Sequence, residues 1–267
     1  MSTTQHDDAV AAPTTAAAPE HVAYVLGLAD DALVYAQRLG EWLTRAPQIE
    51  EDMALGNVGL DLLGQARSLL THAGGLEGEG RDEDDLAYLR DERDFCNVQL
   101  VEQPRGDFAD EMCRLLWFAS YQHELYSRLV DSADDELAGV AGKAVKEVTY
   151  HRDHAAQWVV RLGDGTAESH ARTERALQRV MPFVGELTTD DEASVWAAEQ
   201  GIGVLPSALE ADITAYVVAV LEQATLSLPE APRWHARGGR RGIHSSPMGY
   251  LLAEMQHIHR THPGATW

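Results

Sequence analysis

Apolar residues recur at steps of three and four positions along most of the chain, as at Val25, Leu28 and Ala32 in the first apolar segment. This period places them on one face of an α-helix. Proline, the strongest helix breaker, is absent from residues 48–103 and 105–181, which leaves long segments free to form helices. No sustained alternation of apolar and polar residues favours a strand. The pattern therefore predicts an all-α protein.

Capping residues and helix breakers predict where the helices begin and end. The pair Gly74-Gly75 is expected to stop the second helix, and Asp107 is expected to cap the fourth. Long helices joined by short connections are typical of an antiparallel bundle. The predicted helices span residues 21–45, 49–73, 83–102, 108–132, 135–161, 166–187, 190–200, 206–227 and 248–261.

The first 20 residues differ in composition from the rest of the chain. They are rich in Ala, Thr and Pro and contain almost no large apolar side chain. Such a segment cannot bury enough surface to offset the entropy lost on ordering. Residues 1–20 are therefore predicted to be a disordered N-terminal tail, and residues 21–267 are predicted to form a single helical domain.

The chain is strongly acidic, with 21 Lys and Arg against 43 Asp and Glu and a formal net charge of −22. This balance argues against a nucleic-acid binder, since such proteins present a basic face to phosphates. It also argues against a polybasic membrane-surface protein. The N-terminus lacks the basic region of a secretory signal, and no apolar run reaches the length of a membrane span. We expect a soluble cytoplasmic protein.

A bundle of long helices can hold a dimetal-carboxylate site, which takes Glu from two helices and a Glu-x-x-His motif from each of two others. Only His257, with Glu254 three residues earlier, meets this spacing, and an exposed helix face accounts for that pair. In the fifth helix His151 follows Glu147 by four residues, and a glycine lies three residues after Asp61. The metal motifs are incomplete, so we expect the polar groups of the bundle to form salt bridges and caps. An autonomous di-iron oxygenase or ferroxidase is the alternative, with candidate ligands Glu41, Asp61, Glu124, Glu147 and His151.

Four arginines, Arg233, Arg237, Arg240 and Arg241, lie within nine residues of this acidic chain. They belong to a loop rich in Arg, Gly and Pro over residues 229–247. Guanidinium groups bind phosphates and carboxylates, so Arg237, Arg240 and Arg241 are candidate contacts for an anion or an acidic partner. An acidic helical module that binds a CoA-type ligand is therefore a further hypothesis. The alternative is that these arginines pair with the chain's own carboxylates.

The two cysteines, Cys96 and Cys113, lie outside any Cys-x-x-Cys or zinc-type pattern. We expect two buried thiols, since no neighbouring feature marks either one as an activated thiolate. The sequence also lacks the Gly-x-Ser-x-Gly, Gly-x-Gly-x-x-Gly and P-loop motifs. The common templates for nucleophilic catalysis and nucleotide binding therefore do not apply.

Eight stretches, in order along residues 21–267, resemble one known family. It is the family of C subunits (PaaC) of the bacterial ring-1,2-phenylacetyl-CoA epoxidases, also called phenylacetate-CoA oxygenases. The stretches are Arg38–Trp42, Ala54–Arg67, Arg90–Arg93, Asn97–Ala109, Lys146–His151, the glycine-rich basic residues 238–244, Leu252–Gln256 and Trp267.

This resemblance implies a ferritin-like bundle of long antiparallel helices with extra C-terminal helices. It implies a part in aerobic phenylacetate catabolism, within a multicomponent monooxygenase that forms the ring-1,2-epoxide of phenylacetyl-CoA from O2 and NADPH. The expected partners are a catalytic A subunit that holds the di-iron centre, a B subunit, and a reductase subunit with flavin and Fe–S groups. The resemblance implies that this chain is a structural subunit that is not catalytic alone. It assigns no catalytic, cofactor-binding or metal-binding residue to this chain.

Overall fold

The computed structural model describes residues 17–265. Over these residues the chain forms nine α-helices and no β-strand, which confirms the all-α prediction. None of these helices is both long enough and apolar enough to cross a membrane. The helices are α1 (Pro19–Gly40), α2 (Ile49–Glu77), α3 (Glu83–Tyr88), α4 (Phe108–Leu129), α5 (Asp135–Gly163), α6 (Ala167–Val184), α7 (Glu192–Glu199), α8 (Glu210–Gln223) and α9 (Ser246–Thr261).

Four long helices, α1, α2, α4 and α5, form the centre of the fold. α1 packs along α2, α4 packs along α5, and α2 also contacts α5, which closes the bundle. Each of the first two pairs is joined by a short loop, so its helices run antiparallel. α6 and α8 pack on α4 and α5, α7 packs on α1, and α9 packs on α3. One apolar core joins these elements, and its largest fully buried side chains include Tyr35, Phe95, Phe118 and Tyr126.

Side-chain caps explain where several of the helices begin. Asp82, Asp107, Asp134, Thr166 and Asp191 each accept a hydrogen bond from the backbone N–H three residues later. A cap of this kind satisfies one of the free N–H groups in the first turn and stabilises a helix by about 1 kcal/mol. The predicted cap at Asp107 is thereby confirmed.

The first helix lies closer to the N-terminus than predicted. α1 begins at Pro19, inside the predicted tail 1–20, and it ends at Gly40, earlier than expected. Proline is favourable at the first helical position because its φ already suits the helix, and the acidic Glu20 suits the positive end of the helix dipole. Residues 1–16 of the predicted tail lie outside the described residues.

The predicted stop of the second helix at Gly74-Gly75 is wrong. α2 continues to Glu77, and Gly78 ends it in the left-handed conformation, with φ 71° and its N–H bonded to the Gly74 carbonyl. Gly74 instead permits a close contact, because a Cβ at that position would lie 2.3 Å from the carbonyl oxygen of Arg81.

The predicted helix over 83–102 is wrong in its second half. α3 ends at Tyr88, a short 3₁₀ turn covers Glu92–Asp94, and residues 95–103 form no helix although most of them are buried. Buried backbone N–H and C=O groups need hydrogen-bond partners even without a helix. The partners of this segment are side chains from distant parts of the chain.

The later helices are shorter than their predicted spans. α6 gives way to a 3₁₀ turn at Gly185–Thr188, and the span predicted for 206–227 divides into a 3₁₀ turn at Pro206–Leu209 and α8. Thr225 has a positive φ of 57°, which is incompatible with continuing the α-helix. The order of the elements agrees with the prediction, and the boundaries differ.

The adjacent glycines of α2 are expected to respond in opposite directions to alanine. Gly75→Ala should raise the free energy of unfolding by up to about 1 kcal/mol, since nothing lies within 4 Å of the added Cβ and alanine favours the helix. Gly74→Ala should lower it, because the Cβ would collide with the carbonyl of Arg81. Urea unfolding of both variants measures the difference, and equal effects would contradict this packing.

Candidate functional sites in the bundle and the arginine-rich segment

Polar side chains form a ladder between α2 and α5. Asp61 Oδ2 lies 3.0 Å from His151 Nε2. One turn along the helices, Gln65 Nε2 donates to Glu147 Oε2 at 3.1 Å, and Glu147 also lies 3.4 Å from the Lys143 ammonium. These contacts join the two helices near the middle of the bundle, where a dimetal site would have to be built.

The five candidate metal ligands do not converge on one point. Only Asp61 and His151 contact each other. Glu41 pairs with Arg38 at 2.5 Å, and Glu124 lies beside two arginines of α4 and α5. A carboxylate that a neighbouring cation already neutralises is a poor ligand for a metal cation. The residues present therefore do not fit a di-iron centre built from this set.

His151 is neutral because it is buried. Burial lowers its pKa, although the carboxylate of Asp61 acts in the opposite direction. The buried Nδ1 of His151 has no hydrogen-bond partner among the described residues, so the ring proton belongs on Nε2, where it is donated to Asp61. This imidazole–carboxylate pair is one of the polar contacts that link α5 to α2.

One group within residues 17–265 brings three potential metal ligands close together, namely His21, His72 and Asp134. Asp134 Oδ2 lies 2.8 Å from His21 Nε2 and 2.6 Å from His72 Nε2, while Oδ1 accepts the N–H of Leu137. Partial burial raises the pKa of Asp134, but these hydrogen bonds lower it overall. The carboxylate thus caps α5 and joins it to α1 and α2. No local motif predicts this group, because its members are far apart along the chain.

Two adjacent aspartates of α1, Asp30 and Asp31, are buried, and each holds an arginine. Asp30 pairs with Arg90, and Asp31 accepts two hydrogen bonds from Arg240, at 2.7 and 3.0 Å. Desolvation raises the pKa of Asp31 to about 6 despite the charge of Arg240, so the carboxylate is still ionised at pH 7. Burial lowers the pKa of Arg240, but the negative charge of Asp31 raises it overall. Both members of the Asp31–Arg240 pair are therefore charged.

The guanidinium of Arg240 is occupied by internal contacts. Besides Asp31, its Nη1 donates to the backbone carbonyls of Gly27 and Cys96, at 2.7 and 2.9 Å. Pairing with the chain's own carboxylates, the second interpretation of the arginine-rich segment, thus holds for Arg240. Anion or partner contact stays a prediction for Arg237, Arg240 and Arg241, of which Arg237 and Arg241 are exposed.

Carboxylates replace helical hydrogen bonds along residues 95–103. Three backbone N–H groups of this segment donate to buried carboxylates, and such charge-assisted bonds are stronger than those between neutral groups. The donors are Cys96, Val98 and Gln99, which bond to Asp30, Asp31 and Glu186 at 2.8, 2.8 and 2.7 Å. This competition explains why a segment with helical periodicity is not helical.

Glu102 and His244 form another buried pair. His244 Nδ1 lies 3.0 Å from Glu102 Oε2, and its Nε2 lies 2.9 Å from the carbonyl oxygen of Phe95. Both partners are acceptors, so both ring nitrogens carry protons and the imidazole is charged. Burial lowers the pKa of His244, but the contacts with Glu102 and Phe95 raise it overall. The pair fixes residues 95–103 to the arginine-rich segment.

Arg237 and Arg241 line a cleft of about 950 Å³, together with Arg240 and His235. The same cleft is lined by carboxylates from α1, the 3₁₀ turn after α6, and the start of α7. They are Glu20, Glu186, Asp190, Asp191 and Glu192. Five carboxylates outnumber three guanidinium groups, so the charge of the cleft does not favour a phosphate-bearing ligand.

The remaining candidate residues lack the features of a reactive site. Burial raises the pKa of Cys96 to about 11 and also raises that of Cys113, so both thiols are protonated at pH 7. Glu254 and His257 lie on the exposed face of α9, as the sequence predicts. Neither thiol is therefore an activated nucleophile.

Comparison with known proteins places the chain in a family. A family model described as phenylacetic acid catabolic protein matches residues 1–267. The chain belongs to this family. It is also 45% identical over 245 residues to the C subunit of the 1,2-phenylacetyl-CoA epoxidase of Escherichia coli (strain K12), and the alignment covers 92% of this chain and 98% of that protein. The family resemblance of the sequence is confirmed.

Several stretches that resemble the phenylacetic acid catabolic protein family meet in the buried network. Arg90–Arg93 supplies the arginine that pairs with one aspartate of α1, and Asn97–Ala109 supplies backbone N–H groups and Glu102. Residues 238–244 supply the arginine and the histidine that complete it. These motifs hold distant segments together. Two consecutive aspartates inside the apolar face of the first helix were the available signal for this network, and sequence reasoning missed it.

Two adjacent arginines of this loop, the partly buried Arg240 and the exposed Arg241, offer a direct comparison. Arg240→Met is expected to lower the free energy of unfolding by about 3–5 kcal/mol, because it leaves the charge of Asp31 buried without its partner. Arg241→Met, which changes an exposed neighbour, should change it by less than about 0.5 kcal/mol. Urea or thermal unfolding distinguishes them, and a small effect of Arg240→Met would contradict the described network.

The Glu102–His244 pair predicts a pH-dependent contribution to stability. Since folding raises the pKa of His244, its stabilising effect should be complete below the unfolded pKa, about 6.5, and should be lost as pH rises through the folded value. The stability difference between the wild type and His244→Gln should therefore shrink between pH 6 and pH 9. A difference that stays constant over this range would show that folding does not raise the pKa of His244.

Proposed function

We propose that this chain is the structural, non-catalytic C subunit of a phenylacetyl-CoA epoxidase that acts in phenylacetate catabolism. Family membership and 45% identity over 92% of the chain to the corresponding protein from Escherichia coli support the assignment. The chain pairs with a catalytic A subunit that carries the di-iron centre. A B subunit and a reductase with flavin, Fe–S and NADPH sites complete the enzyme, which binds phenylacetyl-CoA and O2.

The observation that carries the non-catalytic role is the way the carboxylates of the bundle are paired. Glu41 and Glu124 lie against arginines, Glu147 lies against a lysine and a glutamine, and Asp61 accepts a hydrogen bond from His151. A di-iron site needs several anionic carboxylates directed at one point. These side chains instead stabilise the helix packing, which suits a subunit that supports a partner.

The two other hypotheses have less support. An autonomous oxygenase or ferroxidase requires the five candidate ligands to converge, and their internal pairing opposes this. A CoA-binding module requires a basic site, whereas the cleft beside Arg237 and Arg241 carries more carboxylates than guanidinium groups. We therefore place phenylacetyl-CoA on the complex and assign no contact with it to this chain.

Iron content tests the proposal directly. The chain purified alone from iron-supplemented cells is expected to hold far less than one iron per chain, and its complex with the A subunit is expected to hold about two, bound by A. Inductively coupled plasma mass spectrometry gives both values. About two tightly bound irons in the isolated chain would overturn the non-catalytic role.

Activity of the reconstituted enzyme gives a second test. Epoxide formation from phenylacetyl-CoA by the A, B and reductase subunits should fall when this chain is omitted. The variant Glu147→Gln should restore activity to within about twofold of the wild-type chain, because Glu147 is not an iron ligand in this proposal. Loss of activity with a stable, correctly assembled Glu147→Gln complex would assign this residue to the chemistry.

A further inference from the structure

α2 is apolar on two opposite sides, although only one of them faces the core. The core side carries Leu55, Val58 and Leu62, which are fully buried. On the outer side Met53 is 65% exposed and Leu60 is 67% exposed. A helix that is apolar on more than one side normally lies in a protein interior. The exposed apolar side chains on the outer side of α2 therefore favour burial against a partner.

The apolar positions of the outer side follow a regular spacing. Ile49, Met53, Gly56, Leu60 and Leu63 are separated by steps of four, three, four and three residues. This is the heptad spacing of a seam that packs against another helix. We call these five residues the α2 stripe, and they extend over about 21 Å of helix.

The α2 stripe has a gap between large side chains, which is the surface shape that a docking helix requires. Gly56 leaves a gap between the large side chains of Met53 and Leu60, and a Cβ at Gly56 would meet only Leu43 Cδ2, at 3.4 Å. Leu43 is itself 52% exposed beside this gap. A side chain from another helix can therefore insert at the centre of the α2 stripe.

The neighbouring helix α5 also exposes a large aromatic side chain. Tyr150 is 53% exposed, and its ring stacks on His154 with the ring centroids 5.9 Å apart. His154 in turn lies 3.1 Å from Glu51, in the first turn of α2. These contacts hold Tyr150 on α5 near the first turn of α2, without a direct contact to the α2 stripe among the described residues.

We propose that the α2 stripe is the surface on which a helix of the catalytic A-type subunit docks. This inference rests on the proposed function and assigns the partner a place on this chain. Burial of Ile49, Met53, Leu60 and Leu63 in one interface removes the largest exposed apolar side chains of α2 from water, which is the main favourable contribution to such association.

Charge favours a different subunit over a second copy of this chain. Each copy carries a net charge of −22, so two copies repel each other as they approach. The exposed Glu50 beside the stripe has no hydrogen bond or ion pair with the rest of the described chain, whereas Arg67, at the far end, is held by Glu83 at 3.3 Å. The carboxylate of Asp52, in the same turn of α2, accepts only the backbone N–H of Thr44 among the described residues, and Arg45, in the loop that carries Leu43, offsets one of these two carboxylates. The net charge beside the first half of the α2 stripe is therefore negative. It fits a partner helix whose apolar face is flanked by Lys or Arg.

Gly56→Arg tests the α2 stripe with little disturbance of the fold, because its side chain would project from the surface. The matched control is Gly75→Arg, which lies in the same helix outside the stripe, with nothing within 4 Å of its Cβ. Wild-type chain, Gly56→Arg and Gly75→Arg are each mixed with the A subunit, and complex formation is followed by analytical ultracentrifugation. We expect Gly56→Arg to weaken the complex at least about tenfold and Gly75→Arg to bind like the wild type.

Leu60→Asp is a second variant, with the exposed Val195→Asp on α7 as its control, and thermal unfolding establishes that each isolated variant folds. If the wild-type complex forms and both stripe variants bind like the wild type, the docking surface is wrong while the subunit assignment stands. If the wild-type chain and the A subunit do not associate, the proposed function itself fails. A homodimer of this chain that Gly56→Arg dissociates would assign the α2 stripe to a second copy and overturn the proposal.

Discussion

Two adjacent carboxylates in the middle of α1 hold the fold together. Asp30 and Asp31 each bind one arginine from a distant segment. Each also accepts a backbone N–H from residues 95–103. A buried charge is unfavourable without a partner, so each of these groups requires the others to be in place. We call this group of Asp30, Asp31, their two arginines and the N–H groups of residues 95–103 the polar knot. Because its members depend on one another, the polar knot favours one arrangement of these distant segments beside the apolar core.

Polar side chains in the interior of the bundle are likewise held by contacts with other residues of the chain. Several of its polar side chains pair with one another, with Asp61 against His151 and Gln65 against Glu147. A site that binds metal or substrate needs groups that are held in position but not yet neutralised. In this bundle the paired polar groups instead stabilise the packing of α2 against α5. The outer surface of α2 differs, because its exposed apolar side chains are available to bind a partner.

The predictable part of this structure depended on local pattern. Helical periodicity and caps such as Asp107 identified each helix that the structure describes over residues 17–265, because those signals act within a few residues of chain. The span 83–102 failed because its N–H groups bond to carboxylates more than 60 residues away, such as Asp30. Arg240 was one of three candidate contacts in the sequence. Its burial depends on Asp31, a partner 209 residues distant that no local pattern reveals. Whether the candidate metal ligands converge on one point likewise depends on tertiary packing, which local sequence patterns do not show.

The order in which the polar knot is assembled has a consequence during synthesis. Residues 95–103 leave the ribosome well before Arg240 and His244, which supply their last hydrogen bonds. Until those residues emerge, Asp31 lacks its arginine and Glu102 lacks its histidine. The last two ion pairs around residues 95–103 can therefore form only when nearly all of the chain has been made. A loop near the C-terminus thus supplies the final charges of a network that is centred on the first helix.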